Sequence, residues 1–297
     1  MSQRPRSGRL ALLLAASALC LTTVACAPTD NSSDSPGTGG ASTPTGSADV
    51  CASPNTVKAG VLTIATDDPA FDPWFSNNDP TNGKGFESAV AYAVAAKMGF
   101  AKSAVTWTKE PFNASYQPGP KNFDFDINQI SISAKRAQAV TFSDGYYSAA
   151  QAIITLKNSP YAHATSLAGF ANATLGAQVG TTSLDAITDT VKTKNQPEVF
   201  DDTNNAKNAL QNGQIDGIVV DLPTAFYITA VQIPQATIVG QFQPQTGQQE
   251  QFGLLFEKGN PLVSCVNTAI DALVTAGDLA KITDQYLAAS AGAPKLG

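Results

Sequence analysis

The sequence predicts an α/β fold divided into two lobes. Strands and amphipathic helices alternate along nearly the whole chain after residue 50, and the alternation restarts beyond Lys157. A last strand and two helices then return without a sheet of their own, so the second group of elements sits inside the first. Two chain crossovers between nested groups leave a cleft and a hinge, and hinged lobes can close around a ligand. Each sheet is expected to be mainly parallel and flanked by helices.

The elements follow from local pattern. Val61–Thr66 (VLTIAT) alternates and is rich in β-branched residues, as a strand requires. Two prolines set Asp67-Asp68-Pro69-Ala70-Phe71-Asp72-Pro73-Trp74-Phe75 as a loop, which runs on to Lys84. Phe86, Val90, Ala93, Val94 and Met98 recur at helical spacing before Gly99 ends the helix. Strands are expected at 104–108, 123–132, 138–142 and 150–156. In the second group, strand 173–179 enters the Gly180-Thr181-Thr182-Ser183 turn and a helix through about Val191. Short strand 199–200, helix 204–211 stopped by Gly213 and strand 215–220 follow. Asp221-Leu222-Pro223 opens a further helix, and 237–239 and 251–256 are strands. Helices 261–275 and 278–288, parted by Gly277, finish the chain.

The beginning of the chain reads as processing signals. Arg4, Arg6 and Arg9 form a basic region ahead of an apolar run from Leu10 to Leu21, about a dozen residues and too short for a comfortable span. Residues 1–25 are therefore expected to be a signal peptide. The small residues leading into Cys26 resemble the lipobox of bacterial lipoproteins, with Thr23 where leucine is usual. That resemblance implies a lipid on Cys26 and an anchor on the outer face of the cell membrane. Ordinary secretion or an uncleaved anchor are the alternatives. Residues 26–50, nearly all small or polar, are expected to form a disordered tether. Lobe 1 is then expected over 51–150 and 250–297, and lobe 2 over 151–249.

Composition is ordinary for a globular protein, with 43% hydrophobic and 14% charged residues. A net charge of −6 supplies no basic field for nucleic acid. One histidine and no CxxC leave no metal reading, and no cofactor is implied. Of four cysteines, Cys20 leaves with the signal peptide and Cys26 is the lipid site. Cys51 and Cys265 remain as an even pair in an oxidising compartment, expected to form a disulfide; two unrelated buried thiols are the alternative.

The segment Ser131-Ile132-Ser133-Ala134-Lys135-Arg136, with Val140-Thr141-Phe142-Ser143-Asp144 behind it, puts hydroxyls and one guanidinium where a strand gives way to a helix start. A guanidinium fork can grip both oxygens of a carboxylate. Together with Asp67-Asp68-Pro69-Ala70-Phe71-Asp72-Pro73-Trp74, Gly85-Phe86-Glu87, Phe142-Ser143-Asp144-Gly145-Tyr146-Tyr147, Val179-Gly180-Thr181-Thr182 and Ile215-Asp216-Gly217-Ile218-Val219-Val220-Asp221, this segment makes six motifs in one order. In that order the chain, over about residues 54–288, resembles the extracellular solute-binding proteins of ABC importers, polar amino-acid class, whose fold is the periplasmic-binding-protein type II fold.

The resemblance implies that Arg136 clamps a ligand's α-carboxylate and that Ser131 contacts the ligand. Gly180, Thr181 and Thr182 offer N–H groups from the opposite lobe, and Asp221 accepts the α-ammonium. Phe71 and Trp74 wall the side-chain pocket, and Asp68 stands where some relatives hold a cationic side chain. Each has a plainer reading. Arg136 could be a solvated helix residue, although a cation in a first turn opposes the dipole. Asp221, Thr181 and Thr182 could be helix caps, Phe71 and Trp74 core, and Asp67 and Asp68 turn carboxylates. Glu87 reads as a favourable charge at its helix start, and His163 as a surface residue. Ala89 replaces an acidic residue common in the family, Asn128 and Gln129 replace small ones, and Tyr116-Gln117-Pro118-Gly119-Pro120 is an unusual insertion.

The expected function is a monomeric, non-enzymatic receptor that delivers a polar amino acid, cationic or amide in side chain, to ABC permease subunits. An enzyme on the same fold, such as a dehydratase of cyclic acids, is the first rival; it needs a general acid or base in the cleft. A ligand-sensing module is the second, and no membrane-spanning stretch for one is read beyond residue 288.

Overall fold

A computed structural model describes residues 51–244, 249–288 and 292–297. The signal peptide, Cys26 and the tether fall outside the described residues. The body holds two five-stranded sheets. In lobe 1 the strand order is β2-β1-β3-β10-β4, from β1 (Leu62–Thr66), β2 (Val105–Lys109), β3 (Phe125–Asp126), β4 (Val140–Ser148) and β10 (Gln251–Glu257). In lobe 2 it is β7-β6-β8-β5-β9, from β5 (Gln151–Leu156), β6 (Leu175–Gln178), β7 (Glu198–Phe200), β8 (Gly217–Asp221) and β9 (Ala236–Phe242).

Both sheets are mainly parallel, and the exceptions have one cause. β1 runs parallel to β2 and β3, whereas β10 runs antiparallel to both β3 and β4. Likewise β6 is parallel to β7 and β8, whereas β5 is antiparallel to β8 and β9. The reversed strand of each sheet is the one the chain enters straight from a crossover, at residues 149–150 or just before Gln251. These crossovers place Gln151 and Glu250 at the hinge.

The helices are α1 (Phe86–Lys97), a short α2 (Phe112–Ser115), α3 (Thr182–Ala186), α4 (Thr203–Gln211), α5 (Leu222–Tyr227), α6 (Leu262–Thr275) and α7 (Asp278–Leu287). Helices α3 and α5 each continue as a π turn, through Val191 and Gln232. In lobe 1, α1, α6 and α7 cover a core of Leu62, Ile64, Phe86, Phe125, Phe252 and Phe256. In lobe 2, Ile154, Leu210 and Ile218 sit on one side of the sheet's core and Ile153, Leu175 and Val219 in a second cluster. Among the described residues no single helix is long and apolar enough to cross a membrane.

Three departures from the sequence reading stand out. The expected strand 123–132 is regular only at Phe125–Asp126, because Gln129 takes a left-handed backbone (φ 47°) and bends the chain toward the cleft. Helix α2 falls in a stretch the sequence left unassigned. The end of the chain does not stay with lobe 1: Leu296 is buried with Ile153 and Val219 in lobe 2, and Lys295 bridges Gln241 on the free edge of β9. The expected lobe 1 range 250–297 is thus corrected. The tail adds to an edge strand whose backbone groups would otherwise face water.

Cys51 and Cys265 are joined, with Cα atoms 5.3 Å apart and 214 residues between them in sequence. The bond pins the first turn of the body to α6. Chain-entropy reasoning gives a loop of this length roughly 5 kcal/mol at most. Replacing both cysteines by alanine is expected to lower the unfolding free energy by a few kcal/mol, read by urea titration, and to leave ligand affinity unchanged because neither residue approaches the cleft.

Candidate functional site

Strand ends build the site. β1 runs into Asp67, the irregular segment after β3 carries Asn128, Gln129 and Ser131, and a 3-10 turn at Arg136–Gln138 presents the arginine. From lobe 2, β6 ends at Gln178 before the Gly180-Thr181-Thr182 turn, and β8 ends at Asp221. A cavity of about 70 Å³ lies between these ends, lined among others by Asp67, Phe71, Phe112, Ser131, Arg136, Thr181, Thr182, Asp221 and Thr224. The lobes touch across it. Ser131 Oγ lies 3.2 Å from Thr182 Oγ1, and Arg136 Nη2 donates to the Gly180 carbonyl at 2.9 Å.

Arg136 is 8% exposed. Its Nη1 donates to the Ser131 carbonyl at 2.8 Å, and its Cζ lies over the rings of Phe112 (5.4 Å) and Tyr116 (4.9 Å). It forms no ion pair among the described residues, and two carbonyl bonds leave three of its five N–H groups for a carboxylate. Burial lowers its pKa, while Tyr116, Glu250, Asp185 and Asp221 act to raise it.

Asp221 occupies the N-cap position of α5 but makes no side-chain capping bond. Its Oδ1 accepts instead from Gln151 Nε2 at 2.9 Å, and the same amide nitrogen donates to Glu250 Oε2 at 2.9 Å. Gln151, fully buried, accepts in turn from Ser183 Oγ at 2.7 Å. Ser131 Oγ donates to Glu250 Oε1. One chain of bonds therefore links the lobe 1 serine, the hinge glutamate and the lobe 2 aspartate. Burial, and then the Glu250 charge, push the Asp221 carboxyl well up. A positive group beside it would relieve both effects.

The remaining expected residues divide. Phe71 and Thr182 line the cavity, and Thr181 both lines it and caps α3, accepting from Leu184 N–H at 3.1 Å. Gly180 meets the site through its carbonyl on Arg136, whereas an N–H contribution was expected.

Asp68 does not face the cleft. It points outward from the end of β1 to Lys109 at the paired end of β2, and that exposed ion pair holds its pKa down. Asp67, one residue nearer the strand, lines the cavity, its Oδ1 and Oδ2 fixed by the N–H groups of Asp68 and Phe112. Of the two neighbouring aspartates it is thus Asp67, not Asp68, that faces the cavity. Burial raises the Asp67 pKa.

Trp74 is core, not wall. It is fully buried and packs edge-on against Phe86, Tyr147 and Phe252, with centroids 5.6–5.9 Å apart. Its indole N–H still crosses to lobe 2, donating to Thr224 Oγ1 at 2.9 Å.

Sequence reasoning missed Phe112, Gln151 and Glu250. Their sequence neighbourhoods carry no motif; only the fold brings them to the cleft. Glu87 was read as a dipole partner, yet it is fully buried. Its carboxylate accepts from Gln129 N–H at 2.7 Å, from the Gln129 side-chain amide and from Tyr146 Oη. It thus holds a residue of the cavity wall from behind. Burial raises its pKa from 4.5 to about 7, against the pull of those three donors. Over that interval the folded state binds more protons than the unfolded one. Stability from this group is full below about pH 4.5 and is lost as pH rises through about 7. Relative to Glu87→Gln, the unmodified protein is expected to lose up to about 3 kcal/mol across that window, read by urea titration at a series of pH values.

A hinged pair of α/β lobes meeting at one polar cavity defines the class of two-lobed ligand-binding proteins. The chain belongs to the bacterial extracellular solute-binding proteins, family 3, whose family model matches residues 62–289. Among solved structures it is similar to an ancestral arginine-binding protein. The form bound to arginine is 25% identical with a TM-score of 0.63, covering 77% of this chain and 98% of that one. The form bound to glutamine gives 26%, 0.64, 77% and 99%. The arginine-, lysine-, histidine-binding protein ArtJ of the thermophilic bacterium Geobacillus stearothermophilus is 22% identical, with a TM-score of 0.65 over 79% of this chain and 97% of that one. AncCDT-1, an ancestral amino acid-binding protein and a precursor of cyclohexadienyl dehydratase, is 23% identical, with a TM-score of 0.62 over 76% and 95%. The last two carry the fold alone. Membership in the family makes this an extracellular protein that binds a small solute.

Proposed function

We propose that this protein is the receptor of an ABC importer and captures a polar amino acid between its lobes, handing it to the permease on opening. One observation carries the reading: Arg136 of lobe 1 and Asp221 of lobe 2 face one small cavity from opposite sides. A zwitterion bound there sets its carboxylate on the guanidinium and its ammonium on the aspartate, in surroundings where burial strengthens both pairs. Because the two charges belong to different lobes, only the closed form offers both, so closure and recognition are one event. Phe71, Phe112 and Asp67 also line the cavity, and these aromatic and acidic groups suit a cationic or amide side chain. The ligands bound to the ancestral relative, arginine and glutamine, agree with that choice. Lipid attachment through Cys26 would keep the receptor beside its permease.

A thermal-shift screen of the twenty amino acids, with sugars and organic acids as controls, tests this. A shift with one or a few polar amino acids is the expected result; a shift only with sugars or organic acids removes the reading. The rival activity, dehydration of a cyclic acid, draws on Asp221 and Glu250 sharing one amide in the cleft. Recovery of the bound solute chemically unchanged decides against it, and release of a dehydrated product decides for it.

A further inference from the structure

Tyr116 stands on Arg136, the one cation lining the candidate cleft among the described residues. Its ring lies 4.9 Å from Arg136 Cζ, with Phe112 at 5.4 Å, and the two rings meet edge-on with centroids 5.6 Å apart. The guanidinium is therefore set in a corner between two aromatic faces, an arrangement that fixes its plane. Tyr116 Oη donates to Asn113 Oδ1 at 2.7 Å, so this pair is held as a unit on α2 and the turn after it.

The same two oxygens lie against lobe 2. A Cβ at Gly180 would fall 2.2 Å from Tyr116 Oη and 2.6 Å from Asn113 Oδ1. Gly180 has φ +73°, and its carbonyl is the acceptor for Arg136 Nη2. The lobe 2 backbone reaches the Tyr–Asn pair, and brings that carbonyl to the guanidinium, only because position 180 carries no side chain.

We propose that Tyr116, braced by Asn113, is a positioning residue for the carboxylate clamp: its ring sets the plane of the Arg136 guanidinium, and its hydroxyl end seats on Gly180 when the lobes close. The proposal rests on the reading of Arg136 as the clamp. It gives the turn that follows α2 a purpose, which is to carry a lobe 1 residue over to the lobe 2 turn. In the closed form Arg136 is held by one lobe's ring and the other lobe's carbonyl, leaving its remaining N–H groups aimed at a carboxylate.

The test uses Tyr116→Phe, Tyr116→Leu, Gly180→Ala and the triple variant Asn113→Ala/Tyr116→Ala/Gly180→Ala. Each is titrated calorimetrically with L-arginine and with L-glutamine. Each is also measured by small-angle scattering with and without the amino acid, and melted to confirm folding. Tyr116→Leu is expected to lower affinity about tenfold or more, with closure kept, and Tyr116→Phe to restore most of it. Gly180→Ala is expected to melt near the wild type yet fail to contract on adding amino acid. The triple variant regains contraction although its backbone keeps the same left-handed residue, which separates contact from backbone strain. Normal contraction in Gly180→Ala, a triple variant as open as Gly180→Ala, or wild-type affinity in Tyr116→Leu overturns the proposal. A wild-type protein that binds none of the twenty amino acids overturns the clamp reading along with it, whereas wild-type binding with indifferent variants removes this inference alone.

Discussion

Arg136→Ala is expected to weaken amino-acid binding severely and to leave the fold standing, the largest effect of any single substitution in the cleft. The guanidinium is buried, carries the formal positive charge of the cavity and retains N–H groups beyond those given to Ser131 and Gly180. A ligand carboxylate deprived of it would be desolvated without a partner, a loss of 2–5 kcal/mol or about thirty- to several-thousand-fold in affinity. Arg136→Lys keeps the charge and removes the planar fork, so it should fall between the two. Calorimetry measures affinity and circular dichroism the fold. Unchanged affinity in Arg136→Ala would take this residue out of the site.

Asp221→Asn gives the second largest effect. The amide has the shape of the carboxylate and can still accept from Gln151 Nε2. Only the charge is removed, so the substitution isolates the ammonium contact from the hydrogen-bond chain running to Glu250. A loss of a few kcal/mol is expected for one partner of a buried charged pair. Because burial and Glu250 hold the wild-type carboxyl well up, the variant also relieves a strained arrangement in the ligand-free cleft. Its unfolding free energy should therefore match or exceed the wild type while its affinity falls. Affinity near normal would give the ammonium role to another group.

How much of this was readable in the sequence depends on the range of the interaction. Elements with a clear period, such as β1, β5, α6 and α7, stand within a residue or two of their expected bounds, because a strand or helix declares its buried face locally. The Cys51–Cys265 bond could be reached by counting. Arg136 and Asp221 were legible through the resemblance that the six motifs carry, and both line the cavity. Residues whose meaning depends on what lies opposite could not. Asp67 and Asp68 differ only in which side of β1 they leave from, and that turns on Lys109 being paired beside Thr66 on the next strand. The resemblance implies Trp74 on the wall, but the gap between Phe86, Tyr147 and Phe252 draws its ring inward. Gln151 and Glu250 are ordinary residues in sequence, 99 positions apart, and become a pair only because both crossovers pass the same point. The C-terminal tail ends on lobe 2 because β9 leaves an edge unpaired, which no local pattern signals.

On the proposed reading, recognition is made by two opposite charges, one on each lobe, acting on the two ends of a zwitterion. Calorimetric titration of the preferred amino acid beside its N-acetyl form and its α-carboxamide tests this most directly, since each derivative removes one charge and keeps the side chain. Both derivatives should lose at least about thirtyfold in affinity, the scale of one buried charged contact. Derivatives that bind as well as the free amino acid would contradict the claim.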